Sequence, residues 1–270
     1  MKSFAADIRL VVTDMDGTLL DENHEIPKQF WPLLQRLHAA GIRFAPASGR
    51  QLYTLLEQFQ AADIPLSIIA ENGTMVYHDG AVISTTTLNP ADVHAVIDVI
   101  DAHTDIDWGI ALCRTDGAFI SRTDEAFVTE GARYYARLTQ VEDLHTAVND
   151  EVIKIALYSF EDVSLRAESL LTGISDAMTV TVSGKHWIDM MNPVANKGAA
   201  LRDLAQAMGI KLEQTLAFGD FLNDYELLET AGTSYAMANA HPQLLELADH
   251  IAPSNAEHGV LKVLEQLLAQ

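Results

Sequence analysis

Hydrophobic and polar positions along the chain switch between two periods, and the switching predicts the elements. Ile8 to Thr13 is a short apolar run rich in β-branched residues, the pattern of a buried strand. Phe30, Leu33, Leu34 and Leu37 fall at i, i+3, i+4 and i+7, one face of a helix, and Gly41 supplies its stop. Ile42 to Ala47 reads as the next strand, although Pro46 within it removes a ladder donor. Leu52, Leu55, Leu56 and Phe59 repeat the helical spacing, and Leu66 to Ala70 is a third strand ending in Glu71-Asn72-Gly73. Thr74 to His78 and Ala81 to Thr85 flank Asp79-Gly80, a hairpin signal.

Asn89-Pro90 marks a break, after which the pattern changes character. Val93, Val96, Ile97 and Ile100 make one helical face. Trp108 to Cys113 and Ala118 to Ser121 read as strands about an Asp116-Gly117 turn, and a poorly periodic helical region runs to about Leu144. Ile153 to Phe160 is a strand, Asp162 to Leu171 a helix and Met178 to Val182 a strand, with Ser183-Gly184 as the exit hinge. Strand and helix alternation then resumes. Trp187 to Met191 is strand-like, and Asn196-Lys197-Gly198 opens a helix whose core face is Leu201, Leu204, Ala205 and Met208. Thr215 to Phe218 is a strand ending in Gly219-Asp220-Phe221-Leu222-Asn223-Asp224. A helix with Leu227 and Leu228, a strand at Ser234 to Ala238, a helix with Leu244, Leu245 and Ala248, and a last helix from Val260 to Leu268 follow. Alternating βα units imply an α/β fold with a doubly wound, mostly parallel sheet, interrupted by an α+β insert. The expected division is a core of residues 1–84 and 185–270 around an insert of residues 85–184.

Composition narrows the function classes. With 49% hydrophobic residues in 270, the chain can bury a sizeable core. Its 38 acidic residues against 17 basic ones give a formal charge of −21, which repels nucleic acid and anionic membranes. The single cysteine, Cys113, cannot form an internal disulfide and fits a reducing compartment. Met1 to Ala6 lacks a signal-peptide pattern and no stretch has the apolar length of a membrane span, so a cytoplasmic protein without a membrane, nucleic-acid or obligate protein partner is expected.

Four polar clusters end strands or open helices: Asp14/Asp16, Ser48-Gly49, Lys197, and Asp220 with Asn223/Asp224. An Asp-x-Asp-Gly stretch on its own is most often a cap or an Asx turn. Here Asp14 stands at the carboxyl end of an apolar strand, where open α/β sheets place their ligand crevice. If the strands lie side by side, the clusters converge on one rim. Like charges about 4 Å apart repel by roughly 4 kcal/mol at an effective dielectric of 20, so such a rim calls for a cation. Oxygen ligands without a Cys or His cluster select Mg²⁺ over Zn²⁺. Lys197 adds a second positive charge, and Ser48 with the N–H groups after it can hold anionic oxygens. This suits phosphoryl transfer, with Asp14 as nucleophile forming an aspartyl-phosphate and Asp16 as the acid and base for leaving group and water.

Asp-Met-Asp-Gly-Thr, Ala-Ser-Gly-Arg, Asn-Lys-Gly and Gly-Asp-Phe-Leu-Asn-Asp occur here in the order and rough spacing of the haloacid dehalogenase-like phosphatases, which the chain resembles over essentially its whole length. The insert is similar to the α/β cap of their Cof-type, class IIB, sugar-phosphate phosphatases. The resemblance implies Asp14 as nucleophile and Mg²⁺ ligand, and Asp16 as general acid/base with its carbonyl on the metal. Asp220 would be the third protein ligand, with Asp224 in support. Met15, Ser48, Gly49, Lys197 and Asn223 would hold the phosphoryl group of a small phosphorylated metabolite. Arg50 and Asn72 are further candidates for substrate contact, and Trp108, Arg114, Lys185 and Trp187 for contacts from the cap. Glu71-Asn72-Gly73 and the stretch from Ala236 to Ala240 look family-like without a derivable role. Pro46 and the bulky Phe221 depart from the family pattern.

Other readings of the same residues are weaker. Ser48 lacks the preceding Gly of a nucleophile elbow, Gly184-Lys185-His186 is no phosphate loop, and the ten histidines show no ligand spacing. His241, His250 and His258 are expected on the surface or in caps. A phosphomutase would share the aspartyl-phosphate. A non-catalytic phospho-receiver would share Asp, Mg²⁺ and Lys, but would not need Asp16.

Overall fold

The computed structural model describes residues 7–102, 106–163, 177–182 and 185–269. The chain divides into two compact units, one of residues 1–48, 58–84 and 196–270, the other of residues 49–57 and 85–195.

The first unit is built on eight strands: β1 (Leu10–Asp14), β2 (Arg43–Ala47), β3 (Ser67–Ala70), β4 (Met75–His78), β5 (Ala81–Thr85), and, late in the sequence, β12 (Thr215–Gly219), β13 (Thr233–Met237) and β14 (His250–Ala252). Their spatial order is β14-β13-β12-β1-β2-β3-β4-β5. All neighbours from β14 to β3 run parallel, and β4 reverses direction. β1 is central and all five of its residues are buried, so its near-continuous apolar run is what a strand covered on both faces requires. Its register places Thr13 beside Pro46 and beside Phe218. Pro46 does lie in a central strand. Pairing of β2 with β3 is registered at Ala47 and Ile69, where the Ser48 N–H donates to the Ile69 carbonyl at 2.9 Å, just past the proline. At the hairpin between β4 and β5, Asp79 (φ 45°) and Gly80 (φ 92°) both take the left-handed region that a two-residue turn of this hand needs.

Phe30, Leu33, Leu34 and Leu37 are all buried on helix α1 (Phe30–Ala39), where Phe30 packs against Phe44 and Phe59 with centroids 4.9 and 6.2 Å apart. Each such side chain contributes roughly 1.5–3 kcal/mol when removed from water. The helix that begins at Lys197 (Lys197–Met208) is capped by Asn196, whose side chain accepts from the Ala199 N–H at 2.7 Å. Leu201, Leu204 and Ala205 form its buried face, while Met208 is half-buried.

The second unit carries a six-stranded sheet of β6 (Gly109–Arg114), β7 (Gly117–Ile120), β8 (Leu138–Gln140), β9 (Val152–Tyr158), β10 (Thr179–Val182) and β11 (Trp187–Met191), in the order β10-β11-β9-β6-β7-β8. The helix Pro90–Ala102 lays Val93, Val96, Ile97 and Ile100 against Leu112, Ile155, Leu157, Ile188 and Met190. This is the α+β insert. Its last strand differs from expectation: Trp187–Met191 pairs antiparallel with β9 and belongs to this sheet, so the first unit resumes at Asn196. A five-residue strand has the same local pattern in either sheet, and pairing alone assigns it. The helical region expected up to Leu144 ends at Tyr134, and Leu138–Gln140 follows as an edge strand parallel to β7. The short strand at His250–Ala252 was likewise not foreseen. The turn between β6 and β7 lies at Thr115-Asp116. The expected hinge at Ser183-Gly184, and residues 164–171 of the expected helix, lie outside the described residues.

Candidate active site

Two strand ends of the first unit deliver the acidic groups. Asp14 closes β1, and β12 alongside it leads into Asp220 and a short helical turn, Leu222–Asp224. Parallel pairing of β1 with β12 therefore brings residues more than 200 apart in sequence to one edge. One carboxylate oxygen from each of Asp14, Asp220 and Asp224 lies within 4.8 Å of the others. Among the described residues this is the group of three or more acidic, His or Cys side chains able to converge on a metal ion. No histidine joins it, and His241 instead caps a helix, its Nδ1 accepting from the Gln243 N–H at 3.3 Å.

Lys197 lies at the heart of the group. Its side chain is wholly buried, and its ammonium donates to Asp14 Oδ1 and to Asp224 Oδ1, each at 2.6 Å. Its place is set from β3: Glu71, Asn72 and Gly73 take three successive positive φ values of 52°, 56° and 96°. A side chain on Gly73 would run into the Asn196 carbonyl, so this tight turn abuts the start of the lysine's helix. The turn also places Asn72, whose Oδ1 accepts from Asn223 Nδ2 at 3.2 Å. Asn223 and Asn72, from separate loops, are thereby joined.

Asp224 is fully buried and ties its own loop, with Oδ2 accepting from the N–H groups of Asp220 at 3.0 Å and Phe221 at 3.3 Å. Asp220 accepts from the Thr18 hydroxyl at 3.0 Å. In the turn after Asp14, Gly17 has φ 79°, and the space where a Cβ would project is filled by the Asp220 carboxylate. Glycine is needed there on both counts.

The electrostatics follow from crowding. Burial pushes the Asp14 carboxyl well above the ordinary range, and Asp224 pushes it further, against the pull of Lys197. Burial, then Asp224, raises Asp220 to about 6, partly offset by the Thr18 hydrogen bond. Burial by itself would lower the Lys197 pKa, but Asp14 and Asp224 outweigh it and the net shift is upward, so the ammonium stays charged. Three carboxylates around one ammonium leave an excess of negative charge, which a divalent cation would neutralise. All the donors are oxygens, the set a hard cation takes.

The remaining predicted residues are less concentrated. Asp16 contributes to raising Asp220 but is outside the trio, with its side chain 46% exposed and 3.3 Å from His24 Nδ1. Met15 is buried, as is Ser48, whose carbonyl accepts from the Asn72 N–H at 2.9 Å. Gly49 and Arg50 fall in the second unit, where the buried Lys154 ammonium donates to the Gly49 carbonyl at 3.2 Å. In that unit Arg114 is paired with Asp116 at 2.8 Å and lies over the Phe119 ring, Trp187 packs edge-on against Tyr134 and Tyr135 and tilted against Tyr158, Trp108 packs against the apolar core, and Lys185 is exposed. Thr18 and Asn239 were not picked out as site residues. Asn239 Nδ2 donates to the Gly17 carbonyl at 2.8 Å. A contact across 222 residues leaves no local signal in the sequence.

Residues 11–264 match the haloacid dehalogenase-like hydrolase family. The chain belongs to this family. It is 31% identical over 264 residues to 5-amino-6-(5-phospho-D-ribitylamino)uracil phosphatase YbjI of Escherichia coli, covering 97% of this chain and 96% of that one. It is also 31% identical over 247 residues to the HMP-PP phosphatase of Cronobacter sakazakii, covering 90% and 89%. Among solved structures it is similar to SMU.1108c of Streptococcus mutans, with a TM-score of 0.85, 28% identity, and 97% and 100% of the two chains covered. The family and these folds agree with the doubly wound core and inserted α+β unit described above.

Proposed function

We propose that the protein is a Mg²⁺-dependent phosphatase of small phosphorylated metabolites, sugar phosphates in particular, working through an aspartyl-phosphate on Asp14. Its family and its phosphatase relatives give the reaction class, hydrolysis of a phosphoric monoester. The observation that carries the rest is the convergence of Asp14, Asp220 and Asp224 around a wholly buried Lys197. Asp14, Asp220 and the Asp16 carbonyl would hold Mg²⁺ with Asp224 in support, and the ion when bound supplies positive charge to the phosphoryl oxygens.

Asp14, held by Lys197 at its Oδ1, would attack phosphorus through a carboxylate oxygen as the ester P–O bond breaks. Asp16 is half-exposed and so open to solvent. It would protonate the departing oxygen and later take a proton from the water that cleaves the aspartyl-phosphate. Met15, Ser48, Gly49 and Asn223 are assigned to the phosphoryl oxygens, and Arg50 and Asn72 to the rest of the substrate. The relatives named for a ribitylaminouracil phosphate and for HMP-PP support a small-metabolite substrate. A cytoplasmic setting belongs to the same proposal, supported by the lone buried thiol of Cys113.

The test is phosphate release from a panel of phosphorylated metabolites with Mg²⁺. Activity is expected on hexose or pentose phosphates, lost in Asp14→Asn and severely reduced in Asp16→Asn. Unaltered rates in both variants would show these roles to be wrong.

A further inference from the structure

Asn223 stands in the loop after β12, and its side chain reaches the turn that follows β3. There its Nδ2 donates to Asn72 Oδ1 at 3.2 Å, a contact across 151 residues of sequence. Among the described residues this is the one hydrogen bond that the Asn223 amide makes. The Asn72 end of the pair is rigid. Asn72 is buried, takes φ 56° between Glu71 and Gly73, which are also left-handed, and donates its N–H to the Ser48 carbonyl at 2.9 Å. Thr74 closes the same turn, its N–H and its hydroxyl donating to the Glu71 carbonyl at 3.2 and 3.1 Å. A run of left-handed residues persists only where its surroundings fix it. Asn223, in contrast, is half-buried on a three-residue turn, Leu222–Asp224.

Phosphoryl oxygens accept hydrogen bonds and donate none, so a carboxamide serves them through its NH₂ group and not through its oxygen. A turned-over Asn223 amide would bring its oxygen against Asn72 Oδ1, two acceptors with no hydrogen between them. The contact with Asn72 therefore selects one of the two amide orientations. It uses one hydrogen of the NH₂ group and leaves the second for an anionic oxygen. We infer that Asn72 is a positioning residue for Asn223, setting which end of its amide is presented to the phosphoryl group. This role is distinct from the direct substrate contact assigned to Asn72 above.

The inference rests on the phosphoryl role proposed for Asn223, and a double-mutant cycle separates the two. Asn72→Gly removes the side chain while glycine accepts φ 56° without strain. Asn72→Gly, Asn223→Ala and the double variant are assayed with Mg²⁺ on a sugar phosphate and on p-nitrophenyl phosphate, and with inorganic phosphate as competitive inhibitor. Asn223→Ala is expected to lower kcat/KM and weaken phosphate inhibition by about tenfold or more, as the loss of a hydrogen bond to a charged group requires. Asn72→Gly is expected to cost about threefold to tenfold, by the same factor for both esters and for inorganic phosphate. Added to Asn223→Ala, it should cost less than about twofold more, because the group it orients is already gone. A merely structural role would persist undiminished in the double variant, so losses that multiply overturn the inference. Wild-type behaviour of Asn72→Gly overturns it as well. So does a loss on the sugar phosphate that is absent for inorganic phosphate, since that outcome marks a direct contact with the rest of the substrate. If Asn223→Ala itself changes nothing, the phosphoryl role of Asn223 fails and the inference falls with it.

Discussion

Replacing Lys197 by methionine removes the ammonium that touches both Asp14 and Asp224 while keeping a side chain of similar bulk. Lys197 and Asp224 are 0% exposed and Asp14 6%, so water has little room to take over. Removing one partner from a buried ion pair costs about 3–5 kcal/mol, because the other charge is left without compensation. That is a large share of a native stability of about 5–15 kcal/mol. The carboxylates can limit the cost by taking up protons. Asp14 is pushed up by burial and by Asp224 even with the lysine in place, and without it the push is stronger. The destabilisation is therefore largest near neutral pH and shrinks as the pH falls. In the unaltered protein the raised Lys197 pKa keeps the ammonium charged throughout this range. The assay is urea unfolding of both proteins in chelator-containing buffer at about pH 7.5 and about pH 5, comparing the stability difference at each. A difference below about 1 kcal/mol near neutrality, or a larger one in acid, would refute the account of Lys197 as the charge that holds the acidic trio together.

Asp220, raised to about 6 against about 3.9 in an unfolded chain, holds its proton more tightly when folded. Stability without metal should fall as pH rises between these values and stay lower above them. Mg²⁺ favours the ionised carboxylate, so it should raise the melting temperature more near pH 7.5 than near pH 5, and Asp220→Asn should diminish that difference; equal shifts at the two values would contradict it. Gly17→Ala should cost about 1–3 kcal/mol and lower kcat, because it combines a positive φ with displacement of the Asp220 carboxylate. Urea unfolding and steady-state kinetics check this, and wild-type behaviour in both would count against the packing described.

Much of the fold was legible in the chain because it is written in nearest-neighbour chemistry. The stripe of Phe30, Leu33, Leu34 and Leu37, the apolar run before Asp14, the Asp79-Gly80 hairpin and the Asn196 cap each depend on residues a few positions apart, and each is found where the pattern places it. The acidic residues were legible for a related reason. Strands of a parallel sheet point their carboxyl ends one way, so Asp14 and Asp220 had a defined edge at which to meet.

Pairing partners were not written locally. Trp187–Met191 has a strand's pattern in either unit, and only its antiparallel bonding to β9 assigns it. The three-residue strands Leu138–Gln140 and His250–Ala252 are too short to show a period, and exist because a neighbouring edge supplies their hydrogen bonds. The same holds within the site. That Lys197 bridges Asp14 and Asp224, that Asp16 lies outside the acidic trio, and that Asn239 reaches Gly17 are settled by approaches across 27 to 222 residues. The sequence by itself determined which elements form and which residues carry charge at their ends. The tertiary structure decided which of those charges share a site, because hydrogen-bond register and packing between distant segments have no counterpart in local periodicity.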